Sequence, residues 1–529
     1  MKNKSRKYIG FLLSLVALFA INACEDDITP VVDQLEFDRV FTPLNLEARI
    51  SNQTTVSLSW DFNKGIESYT VEISDDSLQF GSIIHTATVA PDEIPFVYEL
   101  PAGNSQYSAR VKGISSVAAE SKWANLAFKS LPENLFNRYN FVMTGLGEVT
   151  INWLPGKAVT SLVFSSENGD ISYDVSAEEQ AAGMKQITDL PNDSYTVNLL
   201  NGSKVRAFRD YVMEGDVFVE SGGDLAAAIT AANSGDVIIL DAGGMFGFEG
   251  DMTIDKSIKI KGLDGELPVV YATSGDRMFY VGSSLTPADH IIFEQLYMSG
   301  YKNLDPNSQI RGVFDMEGEA CNIGSVEFIG CQLYNMGRQI MRLRGGSDQT
   351  IGEFVVDNCI IHDLGRSSGS YGVFCATETN TNAKVVRITN STIDSLKCHF
   401  IRYDDPVDCE QIIVENCTFH KTPFSSGRYL MDVRNAIITG GIEVRNCIFG
   451  NTSYGDEPSI TGIRKTDDVV LTVVNSYATN DFVNSSNSIV DLLTPLEMSS
   501  ASLWTDPENV DFTFSGMVVE AGDPRWYEE

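Results

Sequence analysis

Charged and aromatic side chains that could bind an acidic sugar recur at regular intervals in the C-terminal half of the chain. Alignment of successive repeats predicts that they form two outward-facing columns, because side chains alternate strictly between the two faces of a strand. The first column consists of Asp315, Arg342, Phe374, Arg402, Asp432 and Gly462. The second column consists of Glu317, Arg344, Ala376, Asp404, Arg434 and Arg464.

The centre of these columns would suit a sugar ring that carries carboxylates. We expect Phe374 to be exposed between Arg342 and Arg402, with a notch beside it at Ala376. The phenyl ring would stack on the sugar, and each guanidinium would bind a carboxylate through two hydrogen bonds. The candidate substrate-binding residues are Phe374, Arg342, Arg344, Arg402, Asp404, Asp432 and Arg434. The alternative is a structural ladder of opposite charges, in which exposed pairs contribute at most about 1 kcal/mol each. Its predicted pairs are Asp315 with Arg342, Glu317 with Arg344, Arg402 with Asp432, and Asp404 with Arg434.

The same columns contain groups that β-elimination of a uronic acid chain would require. Arg342 or Arg402 could act as the base that removes the C5 proton. Calcium could neutralise the sugar carboxylate from an acidic set, whose candidates are Asp315, Glu317, Asp404 and Asp405. Every carboxylate in the columns has an arginine neighbour that competes with calcium, so we expect a binding protein rather than an enzyme. No cofactor is expected, except calcium if the protein is a lyase.

A third column contains two histidines on either side of an aspartate. Its members are Tyr334, His362, Asp394, His420, Gly450 and Thr479. Neighbouring His362, Asp394 and His420 could bind a metal or transfer a proton, which makes the two histidines further catalytic candidates. A solvated column beside a bend, without any chemistry, is the alternative.

A repeated motif positions all three columns. An apolar residue, any residue, Asn, then Cys or Ser recurs at spacings of 26 to 32 residues, around Gly330, Asn358, Asn390, Asn416, Asn446 and Asn475. A period of this length indicates a solenoid, with one coil for each repeat. The asparagines are expected to form a ladder at a bend, and Cys331, Cys359, Cys417 and Cys447 to pack inward as small hydrophobic residues.

The start of this region resembles a known fold. Residues 222–240 read as a short amphipathic helix, a turn and a buried strand, which resembles the N-terminal cap of pectin-lyase-like right-handed parallel β-helices. The resemblance implies a β-helix over residues 219–529, with a C-terminal cap near 521–526, and polysaccharide binding across a parallel-strand face. The Arg-x-Pro-x-x-Arg pattern of one pectate lyase family and the Gly-His-Gly set of polygalacturonases are absent from the sequence.

Two shorter regions precede the solenoid. Residues 38–132 alternate apolar and polar residues in short runs, which predicts antiparallel strands. Trp60 on an early strand and Tyr107 after Leu100-Pro101 resemble a fibronectin type III domain and its tyrosine corner. Residues 133–218 repeat the scheme with Trp153 and Tyr195, so we predict a second sandwich of the same type. The predicted fold class is all-β, with two fibronectin type III-like sandwiches followed by the β-helix.

The first residues indicate export. Four basic residues precede an apolar run over 8–21, and Cys24 follows Ala23. This pattern resembles the lipobox of bacterial lipoproteins, which implies a signal peptide over 1–23 and a lipidated Cys24 at the start of a tether over 24–37. The acidic run over 25–27 resembles a surface-export signal of glycan-harvesting Gram-negative bacteria. An ordinary secretory signal, or a tether facing the periplasm, is the alternative.

The composition excludes one class of partner. The formal net charge is −34, so nonspecific binding to nucleic acid is disfavoured. The layout resembles outer-surface lipoproteins of polysaccharide-utilisation systems, which implies an outer-membrane lipid anchor, an outward-facing position and a partner glycan importer. We therefore predict a surface glycan-binding lipoprotein for acidic, pectin-like polysaccharide. A polysaccharide lyase and a structural or adhesive surface protein are the alternatives.

Overall fold

In the computed structural model the chain is described over residues 38–316, 320–345, 347–378, 380–403, 408–425, 427–454, 457–458 and 460–527. The predicted signal peptide, Cys24 and the tether lie outside these residues, as do Glu317, Asp404 and Asp405. Among the described residues there is no helix long and apolar enough to cross a membrane.

The first sandwich consists of a three-stranded sheet and a four-stranded sheet. Its sheets are β1-β2-β5 and β4-β3-β6-β7. The strands are β1 (Glu47–Ser51), β2 (Thr55–Ser59), β3 (Ser68–Ser74), β4 (Ile83–Val89), β5 (Phe96–Glu99), β6 (Gln106–Ile114) and β7 (Ala124–Lys129). Trp60 packs edge-on against Tyr69 with ring centroids 5.2 Å apart. The buried Tyr107 hydroxyl donates to the carbonyl of Ala102 at 3.1 Å, which confirms the tyrosine corner.

The second sandwich repeats this order in shorter form. Its sheets are β12-β9-β8 and β11-β10-β13-β14. The strands are β8 (Phe136–Gly145), β9 (Glu148–Trp153), β10 (Ser161–Ser166), β11 (Gly169–Asp174), β12 (Met184–Ile187), β13 (Asp193–Asn201) and β14 (Lys204–Met213). Trp153 is buried, and the Tyr195 hydroxyl donates to the carbonyl of Pro191 at 2.9 Å, forming a second tyrosine corner. Both predicted sandwiches are therefore present.

The chain divides into two compact units. One contains the first sandwich together with Ala158–Ser161 and Leu199–Ala207. The other contains the rest of the second sandwich and the whole β-helix, and within it the backbone N–H of Met143 donates to the Asp264 carboxylate at 2.7 Å.

Three parallel sheets build the β-helix, as the all-β prediction requires. The first sheet contains β15 (Val217–Val219), β16 (Val237–Leu240), β19 (Ile258–Gly262), β22 (His290–Glu294), β25 (Cys321–Ile329), β28 (Gln349–Asp357), β31 (Thr381–Thr389), β35 (Gln411–Glu415), β39 (Ile442–Arg445) and β44 (Leu471–Val474). The second contains β17 (Met245–Glu249), β20 (Val269–Ser274), β23 (Tyr297–Ser299), β26 (Gln332–Tyr334), β29 (Ile360–Leu364), β32 (Thr392–Leu396), β36 (Thr418–His420), β40 (Ile448–Phe449), β45 (Tyr477–Ala478) and β46 (Thr494–Pro495). The third, which carries the predicted site, contains β18 (Met252–Ile254), β21 (Arg277–Val281), β24 (Gly312–Met316), β27 (Gln339–Leu343), β30 (Gly372–Ala376), β33 (His399–Tyr403), β37 (Arg428–Val433) and β43 (Ile460–Lys465).

Short elements complete the fold. The remaining strands pair in twos and are β34 (Asp408–Cys409), β38 (Ile437–Ile438), β41 (Ser453–Tyr454), β42 (Glu457–Pro458), β47 (Trp504–Asp506) and β48 (Asp511–Phe514). The α-helices are α1 (Ala177–Ala182), α2 (Leu225–Ala231) and α3 (Ser500–Leu503). The 3-10 turns are Pro91–Glu93, Lys302–Leu304, Val490–Leu492, Pro507–Asn509 and Pro524–Trp526. Helix α2 is the predicted N-terminal cap, and it packs Leu225 and Ile229 into the core.

The predicted asparagine ladder runs along a bend of the β-helix. The side-chain amide of Asn475 donates to Asn446 at 2.8 Å, that of Asn446 to Asn416 at 3.1 Å, and that of Asn416 to Asn390 at 2.9 Å. Each of these residues has a positive φ, which asparagine tolerates better than most residues. The cysteine column beside the ladder is buried, as predicted.

Candidate functional site

The outer face of the third sheet carries a row of polar side chains that we call the charged column. Strand pairing places its members in one register, in the order Asp315, Arg342, Cys375, Arg402, Asp432 and Arg464. Two positions differ from the prediction. Cys375 replaces Phe374 between the two arginines, and Arg464 lies beside Asp432 instead of beside Arg434.

Phe374 is not an exposed platform, and this prediction is wrong. Its side chain is 0% exposed and lies in register with the inward-facing Met341 and Ile401. The strand reads Val-Phe-Cys-Ala, so no charged residue indicates which face points outward. Placing the larger phenyl ring in the core, with the smaller Cys375 on the opposite side of the strand, removes more apolar surface from water, which stabilises the observed register. Ala376 also faces inward, so there is no notch at that position.

At one end of the charged column, Asp315 is buried beside Arg342. The Asp315 side chain is only 1% exposed, and its nearest cation is the Arg342 Nη1, 3.9 Å from the Oδ2 atom. Neither carboxylate oxygen has a hydrogen-bond partner within the described part of the chain. The Arg342 guanidinium lies over the Tyr371 ring, with the Cζ atom 4.7 Å from the ring centroid. The predicted Asp315–Arg342 pairing is therefore present, although without a direct hydrogen bond.

The centre of the charged column contains Arg402 and Cys375. The Arg402 Nη1 donates to the carbonyl of Ser370 at 2.7 Å, which ties this arginine to the loop before β30. Burial raises the pKa of the Cys375 thiol to about 11, although Arg402 and Arg342 act in the opposite direction. The thiol is therefore protonated at neutral pH and is not an activated nucleophile.

At the other end, Asp432 forms the strongest ion pair of the face. Arg464 donates to its carboxylate from Nε at 2.8 Å and from Nη2 at 2.6 Å. The same guanidinium lies over the Tyr429 ring at 4.1 Å, and the Arg434 Nη2 is 3.9 Å from Asp432. Asp432 thus pairs with Arg464, although the sequence predicted Arg402 as its partner.

His399 also lies at this face, although the sequence did not predict it as a site residue. The backbone N–H of Tyr429 donates to its Nδ1 atom at 3.0 Å, and the two rings stack with centroids 5.7 Å apart. Burial, reinforced by Arg402, lowers the pKa of His399 to about 4. The imidazole is therefore neutral at pH 7 and carries its proton on Nε2. No pattern distinguishes this histidine in the sequence, because it opens β33 at a bend.

The other residues predicted for this face are Arg344, Arg434 and the calcium candidates. Arg344 and Arg434 follow their strands, and the backbone N–H of Arg344 donates to the Gln349 side chain at 2.9 Å. Of the four calcium candidates, Asp315 alone falls within the described residues. These residues contain no group of three or more His, Cys, Asp or Glu side chains that could hold a metal ion. Calcium binding therefore stays a prediction.

The histidine column of the second sheet forms as predicted, but it is covered. His362 Nδ1 lies 2.6 Å from one Asp394 oxygen, and His420 Nδ1 lies 2.8 Å from the other. Burial raises the pKa of Asp394, but hydrogen bonds to His362 and His420 outweigh it, so the pKa is below its usual value. His420 packs edge-on against Trp504 and Phe512 of the C-terminal cap. The alternative of a solvated column is wrong for Asp394 and His420, which are buried, whereas the His362 side chain is 25% exposed.

Several polar atoms on the third-sheet face are buried without partners. Among the described residues these atoms include the two carboxylate oxygens of Asp315 and the Nε atoms of Arg342, Arg402 and Arg428. Each unmade hydrogen bond of a buried polar group costs about 1–3 kcal/mol.

Comparisons with known proteins match parts of the chain. Residues 412–526 match a family described as "Domain of unknown function (DUF5123)". A solved two-domain fibronectin type III segment of chicken tenascin is 15% identical, covers 32% of this chain and 97% of that segment, and has a TM-score of 0.21. A fibronectin type III domain of human contactin 1 is 15% identical, covers 20% of this chain and 93% of that domain, and has a TM-score of 0.16.

No curated protein is significantly similar to the sequence. The assignment of the sandwiches rests on the strand orders and the two tyrosine corners, and that of the β-helix on its three parallel sheets.

Proposed function

We propose that the third-sheet face binds an extended acidic polysaccharide of the pectin type, and that the protein is a glycan-binding lipoprotein of the cell surface. In this proposal Cys24 carries the lipid anchor in the outer membrane, the two sandwiches act as spacers, and the β-helix presents the binding face outward. An outer-membrane glycan importer of a polysaccharide-utilisation system is the partner that receives the captured chain.

The observation that supports this proposal best is the set of orphaned polar atoms along the charged column. The Asp315 carboxylate offers acceptors for sugar hydroxyls, while Arg342 and Arg402 offer donors to a sugar carboxylate. A glycan supplies both kinds of group at short, regular intervals. A purely structural charge ladder would leave fewer of these atoms without hydrogen bonds.

The dimensions of the column favour a chain over a single sugar. Adjacent parallel strands are about 4.8 Å apart, so the six members from Asp315 to Arg464 extend over roughly 24 Å. A polysaccharide would therefore run across the strands, parallel to the axis of the β-helix. Its carboxylates would meet Arg342, Arg402 and Arg464 in turn.

Two tyrosines hold arginines of the charged column in place. Tyr371 lies beneath Arg342, and Tyr429 lies beneath Arg464. Each pair of a ring and a guanidinium is held by a cation–π contact, which fixes the cation before any ligand arrives. The sugar would then contact preoriented arginines, which lowers the entropy cost of binding.

Affinity electrophoresis tests the ligand class. The protein without residues 1–24 should be retarded in gels that contain polygalacturonate, and less retarded with neutral galactan or xylan. Equal retardation by all polysaccharides would remove the acidic specificity. A lack of retardation by any of them would favour the structural or adhesive alternative.

The same polysaccharides test for β-elimination. Elimination creates an unsaturated uronic acid that absorbs in the ultraviolet, so the protein is incubated with polygalacturonate, alginate and chondroitin, with and without calcium. The binding proposal predicts no rise in absorbance. A rise that requires the protein would show that the face belongs to a polysaccharide lyase.

A further inference from the structure

The asparagine ladder ends abruptly towards the N-terminal side of the β-helix. Asn390 accepts the amide of Asn416, but its own amide donates to Asp357 at 2.8 Å and does not extend the ladder in the described structure. In the next coil Asn358 accepts from Arg525 of the C-terminal segment at 2.9 Å. Gly330 follows without a side chain, and then Gln295.

A cavity lies where the ladder ends. It has a volume of ≈ 580 Å³, which falls within the range of about 300–1,000 Å³ that is usual for small-molecule sites. Its wall combines the bend residues Gln295, Gln332 and Asn358 with Tyr139 and Phe141 of β8 in the second sandwich. The site therefore joins two domains of the same compact unit.

The chemistry of the wall favours an uncharged polar ligand. The Asp264 carboxylate accepts from the backbone N–H of Met143, and Arg525 is paired with the buried Asp523 at 2.7 Å, so each charged side chain already has a partner within the protein. The side-chain amides of Gln295, Gln332 and Asn358 supply the remaining polar groups of the wall. The Gln295 Oε1 atom is buried and has no hydrogen-bond partner among the described residues.

We propose that this cavity binds a neutral sugar, as a second site that is independent of the charged column. Side-chain amides donate and accept at once, as neighbouring hydroxyls of a sugar ring require. The Tyr139 ring, which is 71% exposed, offers an apolar face on which a sugar can stack. The interruption of the ladder at Gly330 leaves space for the ring.

The test is to continue the ladder into the cavity with Gly330→Asn. Gly330 has φ +61, close to the φ values of the ladder asparagines, so asparagine fits this backbone. An added Cβ would lie 3.5 Å from Gln295 Cγ and 3.9 Å from Asn358 Nδ2, which are ordinary contacts. The new amide would occupy the cavity without disturbing the fold. The matched control is Gly202→Asn, at φ +58 with no described atom within 4 Å of the added Cβ.

Saturation-transfer NMR with methyl glycosides of glucose, galactose, mannose and arabinose measures the binding. At least one glycoside should give a signal with the wild-type protein and with Gly202→Asn, and the signal should be lost in Gly330→Asn. The thermal midpoint of Gly330→Asn should equal or exceed that of the wild type, which separates a blocked cavity from an unfolded protein.

Two results would overturn this inference: no signal from any glycoside with the wild type, or an undiminished signal with Gly330→Asn. Neither result bears on the acidic polysaccharide, because the charged column lies on another sheet. Conversely, a failure of the protein to bind polygalacturonate leaves the cavity test intact.

Discussion

Asn416 lies in the middle of the asparagine ladder, and its replacement by alanine should destabilise the β-helix. The variant Asn416→Ala removes the donor to Asn390 and the acceptor of Asn446. Two hydrogen bonds with a net worth of about 0.5–1.5 kcal/mol each give about 1–3 kcal/mol. Alanine at φ +54 adds about 1–2 kcal/mol, because it meets the steric cost of the left-handed region without the local hydrogen bonds by which an asparagine side chain offsets that cost. The expected loss is therefore about 2–5 kcal/mol in the free energy of unfolding.

Asn416→Gly separates these two contributions. Glycine accepts the positive φ without strain, so this variant should lose only the hydrogen-bond part, and should be more stable than Asn416→Ala. Urea unfolding followed by far-UV circular dichroism gives the midpoint of the β-helix transition for each variant. If both variants unfold within about 0.5 kcal/mol of the wild type, as exposed substitutions usually do, the ladder contributes nothing and the reasoning is refuted.

Three further predictions follow from burial. Phe374→Ala should lower the free energy of unfolding by about 3–5 kcal/mol, whereas the exposed Phe62→Ala should change it by less than about 0.5 kcal/mol; equal urea midpoints would contradict this. The pKa of His399 is about 4 in the folded protein and about 6.5 in the unfolded chain. As the pH falls between these values, the unfolded chain binds the proton first, so about 3 kcal/mol of the free energy of unfolding is lost. His399→Gln should flatten that decline in urea titrations across this pH range, and an unchanged slope would count against it. Finally, the eight buried cysteines of the described residues should react with iodoacetamide only after unfolding, and rapid native labelling of Cys375 in a peptide map would contradict its burial.

The repeat made most of the β-helix predictable. Asparagine tolerates a positive φ and its amide both donates and accepts, so a recurring Asn marks the bend and fixes the register of the strands after it. His362, Asp394 and His420 therefore lie side by side as predicted. The burial of His420 was not predictable, because it depends on Trp504 and Phe512, which lie much further along the chain.

The register of the third sheet was harder to predict, since loops of varying length separate it from the bend. From Met341 to Arg344 the sequence alternates apolar and charged residues, and Arg342 was placed correctly. In β30 all residues are apolar or small, and the prediction slipped by one residue, which exchanged Phe374 for Cys375. Binary patterning decides a register only where it contains a contrast between polar and apolar residues.

The ion-pair partners of the arginines could not be predicted from the aligned columns alone. Asp432 lies between two arginines in register, and local strand order does not decide which of them it binds. The structure pairs it with Arg464, whose guanidinium also rests on Tyr429. Arg402 instead donates to the carbonyl of Ser370, and its Nε atom has no hydrogen-bond partner among the described residues. Contacts with loops, which carry no periodic signal, made this choice.

The most direct test of the proposed function is a calorimetric titration of a short oligogalacturonide into the wild-type protein, Arg402→Gln and Arg387→Gln. Arg387 is the matched control, because it lies on the first sheet in a salt bridge with Glu353. A charge-assisted hydrogen bond contributes about 1.5–3 kcal/mol, so Arg402→Gln should weaken binding roughly tenfold to a hundredfold, with Arg387→Gln unchanged. Equal affinities for all three folded proteins, or no binding by the wild type, would contradict the assignment of the third-sheet face.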